Sequence, residues 1–241
     1  MAAPAWDLFV LFSVTLALAV VVLARRTARL VTIETGPLAQ LSRSALYLNV
    51  VVSHGLVLGL IGVVIWWTGV PLKPLGIEMV PEWAWLVGVA GALIVLNEAA
   101  ARVTSNFETA ENQLRDLLTP ATGPEWVVLL GLLLPTIAIT EELLFRGVLI
   151  GAFAVATPVP TGFLIVGSAI LFGGAHTAQG WLGMGIATLL GVALGAAYVW
   201  TGSLWLVIGA HYLIDLVEFV SHVPGKTKPA ESEPGPNEPL T

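Results

Sequence analysis

Apolar runs of roughly twenty residues recur along the chain, and tryptophan, proline or arginine brackets most of them. A helix that crosses a bilayer needs ~20 mostly apolar residues. On that measure spans are expected at about 6–24, 45–69, 83–103, 126–156, 160–179, 181–200 and 203–221. The run at 126–156 is too long for one simple span. Pro135 is expected to bend it about one and a half turns before Glu141. The Pro-rich stretch VPLKPLGIEMVP after the second span reads as an external turn. Between the third and fourth spans, SNFETAENQLRDLLTP reads as a short amphipathic helix at the interface. Ser105 and Glu108 make its capping box, Phe107, Ala110, Leu114, Leu117 and Leu118 recur at helical spacing, and Pro120 ends it.

The expected fold is therefore all-α: a polytopic bundle of about seven transmembrane helices. Residues 1–124 form N-terminal spans and the interfacial helix, 125–222 a core that carries the polar motifs, and 223–241 a Pro- and Glu-rich disordered tail. Gly55/Gly59, Gly147/Gly151 and Gly191/Gly195 are spaced four apart, which predicts close helix contacts at all three pairs. No internal repeat is visible, so the inverted-repeat design of many transporters is absent from the sequence.

Composition agrees with this reading. Charged residues make up 11% of the chain and hydrophobic residues 56%, with a mean hydropathy of +0.88. Soluble domains carry about 25% charged residues. The bilayer is thus the expected solvent, and a net charge of −6 gives no basic surface for nucleic acid. The absence of cysteine excludes disulfides, thiolate metal sites and a Cys nucleophile. MAAPAWDLFV lacks a basic leader segment, so the first helix is expected to be retained with its N-terminus outside. That orientation puts Arg25, Arg26, Arg29, Arg43, Arg102, Arg115, Lys226 and Lys228 in the cytoplasm and only Lys73 outside. A multi-pass protein of the cytoplasmic membrane, N-terminus out and C-terminus in, is the expectation. Trp6, Trp66, Trp67, Trp83, Trp85, Trp126, Trp181, Trp200 and Trp205 all fall near span ends, as an aromatic belt requires.

Against that apolar background, Glu141-Glu142-Leu-Leu-Phe-Arg146 is costly. Each ionisable group at mid-bilayer costs at least ~2.5–3.5 kcal/mol. Glu142 and Arg146 are four apart and share a helix face, so they can pair; Glu141 points about 100° away. Arg146 then neutralises Glu142, and Glu141 is free to face a polar cavity as a general base. Downstream lie Phe172-Gly-Gly-Ala-His176 and His211-Tyr-Leu-Ile-Asp215. His211 and Asp215 share a face, where Asp215 can hold the imidazole in one tautomer. Glutamate and histidines can activate water directly, or Glu141, His176 and His211 can hold Zn²⁺ that does so. No HExxH and no G-x-S-x-G is present, so Ser168, Ser203 and Ser221 read as helix–helix hydrogen-bonding residues. His54 and His222 read as structural. An inert buried ion cluster, a proton-coupled transporter and a non-catalytic scaffold or immunity protein are the competing readings.

The three motifs together resemble the CPBP (ABI) family of CAAX-type prenyl endopeptidases and bacteriocin-processing relatives. EELLFR matches its EExxxR, FGGAH its FxxxH and HYLID its HxxxN/D, over roughly 125–221. The resemblance implies an intramembrane endopeptidase whose cavity opens to the cytosol, acting on a peptide or protein substrate at the membrane. It further implies that Glu141 activates water, His176 helps to hold that water, Glu142 and Arg146 support, and His211 with Asp215 stabilises the oxyanion. The CAAX-cleaving branch usually has Asn where this chain has Asp215. An ionised Asp only accepts hydrogen bonds. Asp215 is therefore expected to carry a proton and donate like Asn, or else to be ionised and charge His211.

Overall fold

The computed structural model describes residues 3–31, 41–80, 83–104 and 117–221. Seven helices stand among them: α1 (Trp6–Val31), α2 (Arg43–Thr68), α3 (Trp83–Thr104), α4 (Gly123–Ala156), α5 (Thr161–Ala175), α6 (Gly180–Thr201) and α7 (Leu204–Ser221). Six are long and apolar enough to cross a membrane. The exception is α5. Its 15 residues rise about 22 Å, short of the ~30 Å of a hydrocarbon core. It stops at Ala175, so His176 lies beyond the last helical residue, where the expected span to 179 had placed it inside. The chain is a multi-pass membrane protein, with large apolar side chains such as Leu11, Leu56, Phe163 and Ile170 facing outward. Trp66, Trp67, Trp83, Trp181 and Trp200 are exposed close to helix ends. The expected amphipathic helix falls almost wholly on residues 105–116, and the expected tail on 223–241, both outside those described.

α4 is the axis of the bundle. It packs against α1, α2, α5, α6 and α7, while α3 leans on α6 and α7. It begins earlier than expected, through a capping box in which Thr122 accepts from Glu125 N–H and the Glu125 side chain reaches back to the Thr122 N–H. Arg43 at the start of α2 pairs with Glu125 at 3.1 Å, and Tyr47 Oη donates to Leu118 O at 2.8 Å, so α2 and α4 are tied at this end. Where Pro135 is expected to bend the helix, a wide π turn at Leu129–Leu133 directly precedes the α-helical segment Leu134–Glu142. Proline has no N–H for the preceding turn and its ring crowds the carbonyl four residues back. A wider turn absorbs both. A second π segment, Leu143–Ala152, follows Glu142 directly. Such widenings are frequent at functional sites.

The stretch after α2 is packed against the bundle. Its 3₁₀ turn Lys73–Leu75 dips into the end of the bundle, and Leu75 is fully buried. Tyr198 Oη donates to Pro74 O at 2.9 Å, Ser203 Oγ to Met79 O at 2.7 Å, Trp205 Nε1 to Ile77 O at 2.8 Å and Leu204 N to Gly76 O at 3.0 Å. Irregular backbone near a bilayer must find such partners within the protein.

Of the three glycine pairs, two sit at close contacts. Gly147 faces Leu75 and Gly195 faces Ile150, while a Cβ on Gly151 would collide with Pro74 O and Tyr198 Oη. Gly55 and Gly59 face open space instead, because that stripe of α2 points away from its neighbours. Gly151→Val should therefore lower the unfolding midpoint in micelles, at a cost of ~1–3 kcal/mol for overpacking. Gly55→Val should leave the midpoint unchanged or raise it.

Candidate active site

The polar residues of the three motifs meet on the inner face of α4. Glu142 and Arg146, four apart across the α-to-π junction, pair at 2.7 Å and are 0% and 1% exposed. At that burial neither charge survives alone, so the pairing is obligatory. Arg146 Nη2 also donates to Gly191 O on α6 at 3.5 Å, and its guanidinium lies 4.4 Å from the centre of the Phe172 ring. Phe172 is wedged edge-on against Phe145 and lies beside His176 and His211, with ring centres 5.2, 4.5 and 6.0 Å away. The carbonyl of Phe145, inside the π segment, accepts from Ser168 Oγ on α5 at 2.6 Å.

The FxxxH spacing has a local cause. His176 is the C-cap of α5, just past its last helical residue, and its Nδ1 lies 2.8 Å from the carbonyl of Phe172, four residues back. A carbonyl only accepts, so Nδ1 carries the hydrogen and Nε2 is left to face the site. The first glycine of the motif is equally local: a Cβ on Gly173 would collide with Thr188 Oγ1 on α6. α5 and α6 can approach there only without a side chain.

Glu142 does more than the pairing with Arg146 requires. Its Oε1 also accepts from His211 Nδ1 at 2.7 Å. Asp215, the partner expected to fix this ring, stands 3.6 Å from the other nitrogen, Nε2. The tautomer of His211 is therefore held by Glu142. His211 in turn bridges the two glutamates, because its Nε2 lies 3.8 Å from Glu141 Oε2.

Glu141 points the other way, as a 100° offset requires. Its Oε2 is buried with no hydrogen-bond partner among the described residues and is faced by His176 Nε2 at 4.0 Å and His211 Nε2 at 3.8 Å. Three helices thus bring Glu141, His176 and His211 together. His54, expected to be structural, joins them from α2, with Nε2 3.8 Å from Glu141 Oε1. A single histidine in an apolar helix carries no sequence signal for such a role.

A cavity of ≈ 60 Å³ reaches His176, His211 and Asp215, and is further lined by Asn97, Gln179 and Glu218. One water needs about 10–15 Å³ of such space. There is room for several waters and none for a folded peptide. Asn97 and Glu218 escape a motif search, although a polar residue inside an apolar span is a signal in itself; Glu218 sits one turn beyond Asp215 on the same helix.

The side chains of the zinc set Glu141, His176 and His211 face one another, but at separations wider than those of zinc ligands. Two ligands on a tetrahedral zinc stand roughly 3.3 Å apart for bonds of ~2.0 Å, less than the 4.0 and 3.8 Å found here. Among the described residues no three His, Asp or Glu side chains are placed to hold a metal ion.

Residues 123–217 match the family model described as type II CAAX prenyl endopeptidase, Rce1-like. No curated protein and no solved structure matches the chain.

Removing the guanidinium should uncover how much rests on it. Arg146→Ala leaves Glu142 buried against a single imidazole and should lower stability by ~3–5 kcal/mol. Adding Glu142→Gln should recover part of that loss. Unfolding in micelles measures both.

Proposed function

We propose, for a chain whose residues 123–217 match the type II CAAX prenyl endopeptidase (Rce1-like) model, that the site hydrolyses a peptide bond of a membrane-associated protein or peptide by direct activation of water. The observation that carries this reading is Glu141 Oε2: buried, without a hydrogen-bond partner among the described residues, and flanked by two imidazole nitrogens from other helices. A carboxylate oxygen kept free in that position is what a general base needs.

In this mechanism His176 Nε2 accepts a hydrogen from the water and aims it, its other nitrogen being committed to Phe172 O. Glu141 Oε2 takes the second proton while the water oxygen bonds to the scissile carbonyl carbon. The carbonyl π electrons move to oxygen. Two donors meet that oxyanion: His211 Nε2–H, in an imidazolium held through its Nδ1–H by Glu142, and the carboxyl O–H of Asp215, protonated and acting as Asn would. On collapse the C–N bond breaks, and the proton held by Glu141 passes to the departing amine. Glu142 and Arg146 stay out of the proton transfers and fix His211. No step is routed through a metal ion.

We further place the His176 end of the bundle on the cytoplasmic side, an orientation supported by Arg25, Arg26, Arg43 and Arg102 near that end of α1, α2 and α3. Substrate then reaches the cavity from the cytoplasmic leaflet.

Glu141→Gln should lower kcat by about 10²–10⁴-fold, with expression and unfolding midpoint close to the parent chain. If Glu141→Gln keeps most activity while Glu142→Gln loses it, the two roles are reversed. Asp215→Asn should retain activity at pH 7. A folded Asp215→Asn protein that loses more than about tenfold, ~1.4 kcal/mol, would show that Asp215 acts as an anion on His211.

A further inference from the structure

The two oxygens of Glu141 have different neighbours. Oε2 faces His176 and His211. Oε1 faces His54, which stands on α2, outside the segment that carries the family match.

His54 is held as His176 is held. Its Nδ1 lies 2.9 Å from the carbonyl of Val50, four residues back on its own helix, just as His176 Nδ1 lies 2.8 Å from that of Phe172. Ser53 Oγ, itself donating to Val50 O at 3.1 Å, lies 3.4 Å from the same nitrogen. In both rings Nδ1 must therefore carry a hydrogen, which turns the Nε2 edge outward from its helix. Both edges end beside the same carboxylate, one at each oxygen. A ring that merely capped its own helix would have no reason to aim there. The side chain is about three-quarters buried, with 24% exposed, so the aim is set by packing rather than by solvent.

A glutamate carboxylate turns about its last bond in a broad, roughly two-fold well. His176 and His211 both address Oε2, which leaves the plane of the carboxylate free unless the second oxygen is engaged. We propose that His54 is a positioning residue for Glu141. With a hydrogen on Nε2 as well as on Nδ1, the ring is an imidazolium whose charge draws Oε1 across 3.8 Å and so keeps Oε2 between His176 and His211, where the proton is taken. This rests on the reading of Glu141 as the group that accepts the proton of water.

The test has two arms on the full chain in lipid-containing micelles. The first measures cleavage of a quenched-fluorescence peptide ending in a farnesylated CAAX sequence. His54→Ala should lower kcat on the order of 100-fold, the cost of a misplaced reacting group, with KM near the parent value. His54→Gln, whose amide end stands close to where Nε2 was, should recover to within about tenfold of the parent and guards against an alanine variant that fails to fold. Parent-like kcat in His54→Ala overturns the proposal, as does a change confined to KM, which would make His54 a substrate contact. The second arm needs no turnover. Unfolding midpoints are compared for the parent, His54→Gln, Glu141→Gln and the double variant. Shifts that fail to add support a direct link between the two side chains, and additive shifts overturn it. A parent chain that cleaves no peptide counts against the endopeptidase reading, and the second arm then decides on His54 alone.

Discussion

The bundle depends on one buried chain of charge: Arg146 to Glu142 to His211. The guanidinium and the carboxylate are sealed from solvent, and the desolvation of both is recovered only while each keeps the other. The chain begins on α4, reaches α6 through Gly191 O, and crosses to α7 through His211 Nδ1. Three helices are thereby fixed in rotation about their own axes, which apolar packing alone constrains weakly. The rotation of α7 is what turns His211 Nε2 toward Glu141, and the rotation of α4 sets Glu141 apart from Glu142. Electrostatic support and chemical readiness are therefore properties of adjacent residues, kept distinct by the helical turn between them.

A spacing of four recurs throughout the site, with three separate causes. In Glu142–Arg146 it joins opposite charges along one face. In Phe172–His176 and Val50–His54 it lets a backbone carbonyl take the Nδ1 hydrogen of a ring one turn later. In His211–Asp215 it sets a carboxyl group beside Nε2 at 3.6 Å, too far for a direct hydrogen bond yet close enough to act on the same incoming atom. Each motif is a short-range device. What makes them a site is that α4, α5 and α7 deliver them to one point.

This division explains what the sequence discloses. Helices were legible because a bilayer demands long apolar runs, and polar motifs were legible because polar residues are costly in such runs. The span at 160–179 was overestimated because hydropathy cannot see where the backbone ceases to be helical, here at Ala175. The apolar run begins only at Trp126, yet α4 starts at Gly123, where Thr122 and Glu125 spell a capping box. Gly55 and Gly59 carry the spacing of a contact surface, yet which face of α2 turns inward is a tertiary fact. The role of Glu142 as anchor for His211 was likewise hidden, since the two lie on different helices and Asp215 offered a nearer partner in sequence. His54 was invisible for the same reason: its counterpart belongs to another helix, and nothing beside it in the chain hints at one.

The inserted turn at Lys73–Leu75 also bears on how the protein can be handled. A stretch rich in proline between two spans invites use as an attachment point for epitope tags, fluorescent proteins or cysteine labels. Here its carbonyls at Pro74, Gly76, Ile77 and Met79 are tied to α6, to α7 and to the residues joining them, and Leu75 is sealed beneath Gly147 in the wide segment of α4. A tag spliced into that stretch would pull a stopper from the end of the bundle and loosen the helix that carries the glutamates. Reporter fusions intended to leave the site intact need another point of attachment.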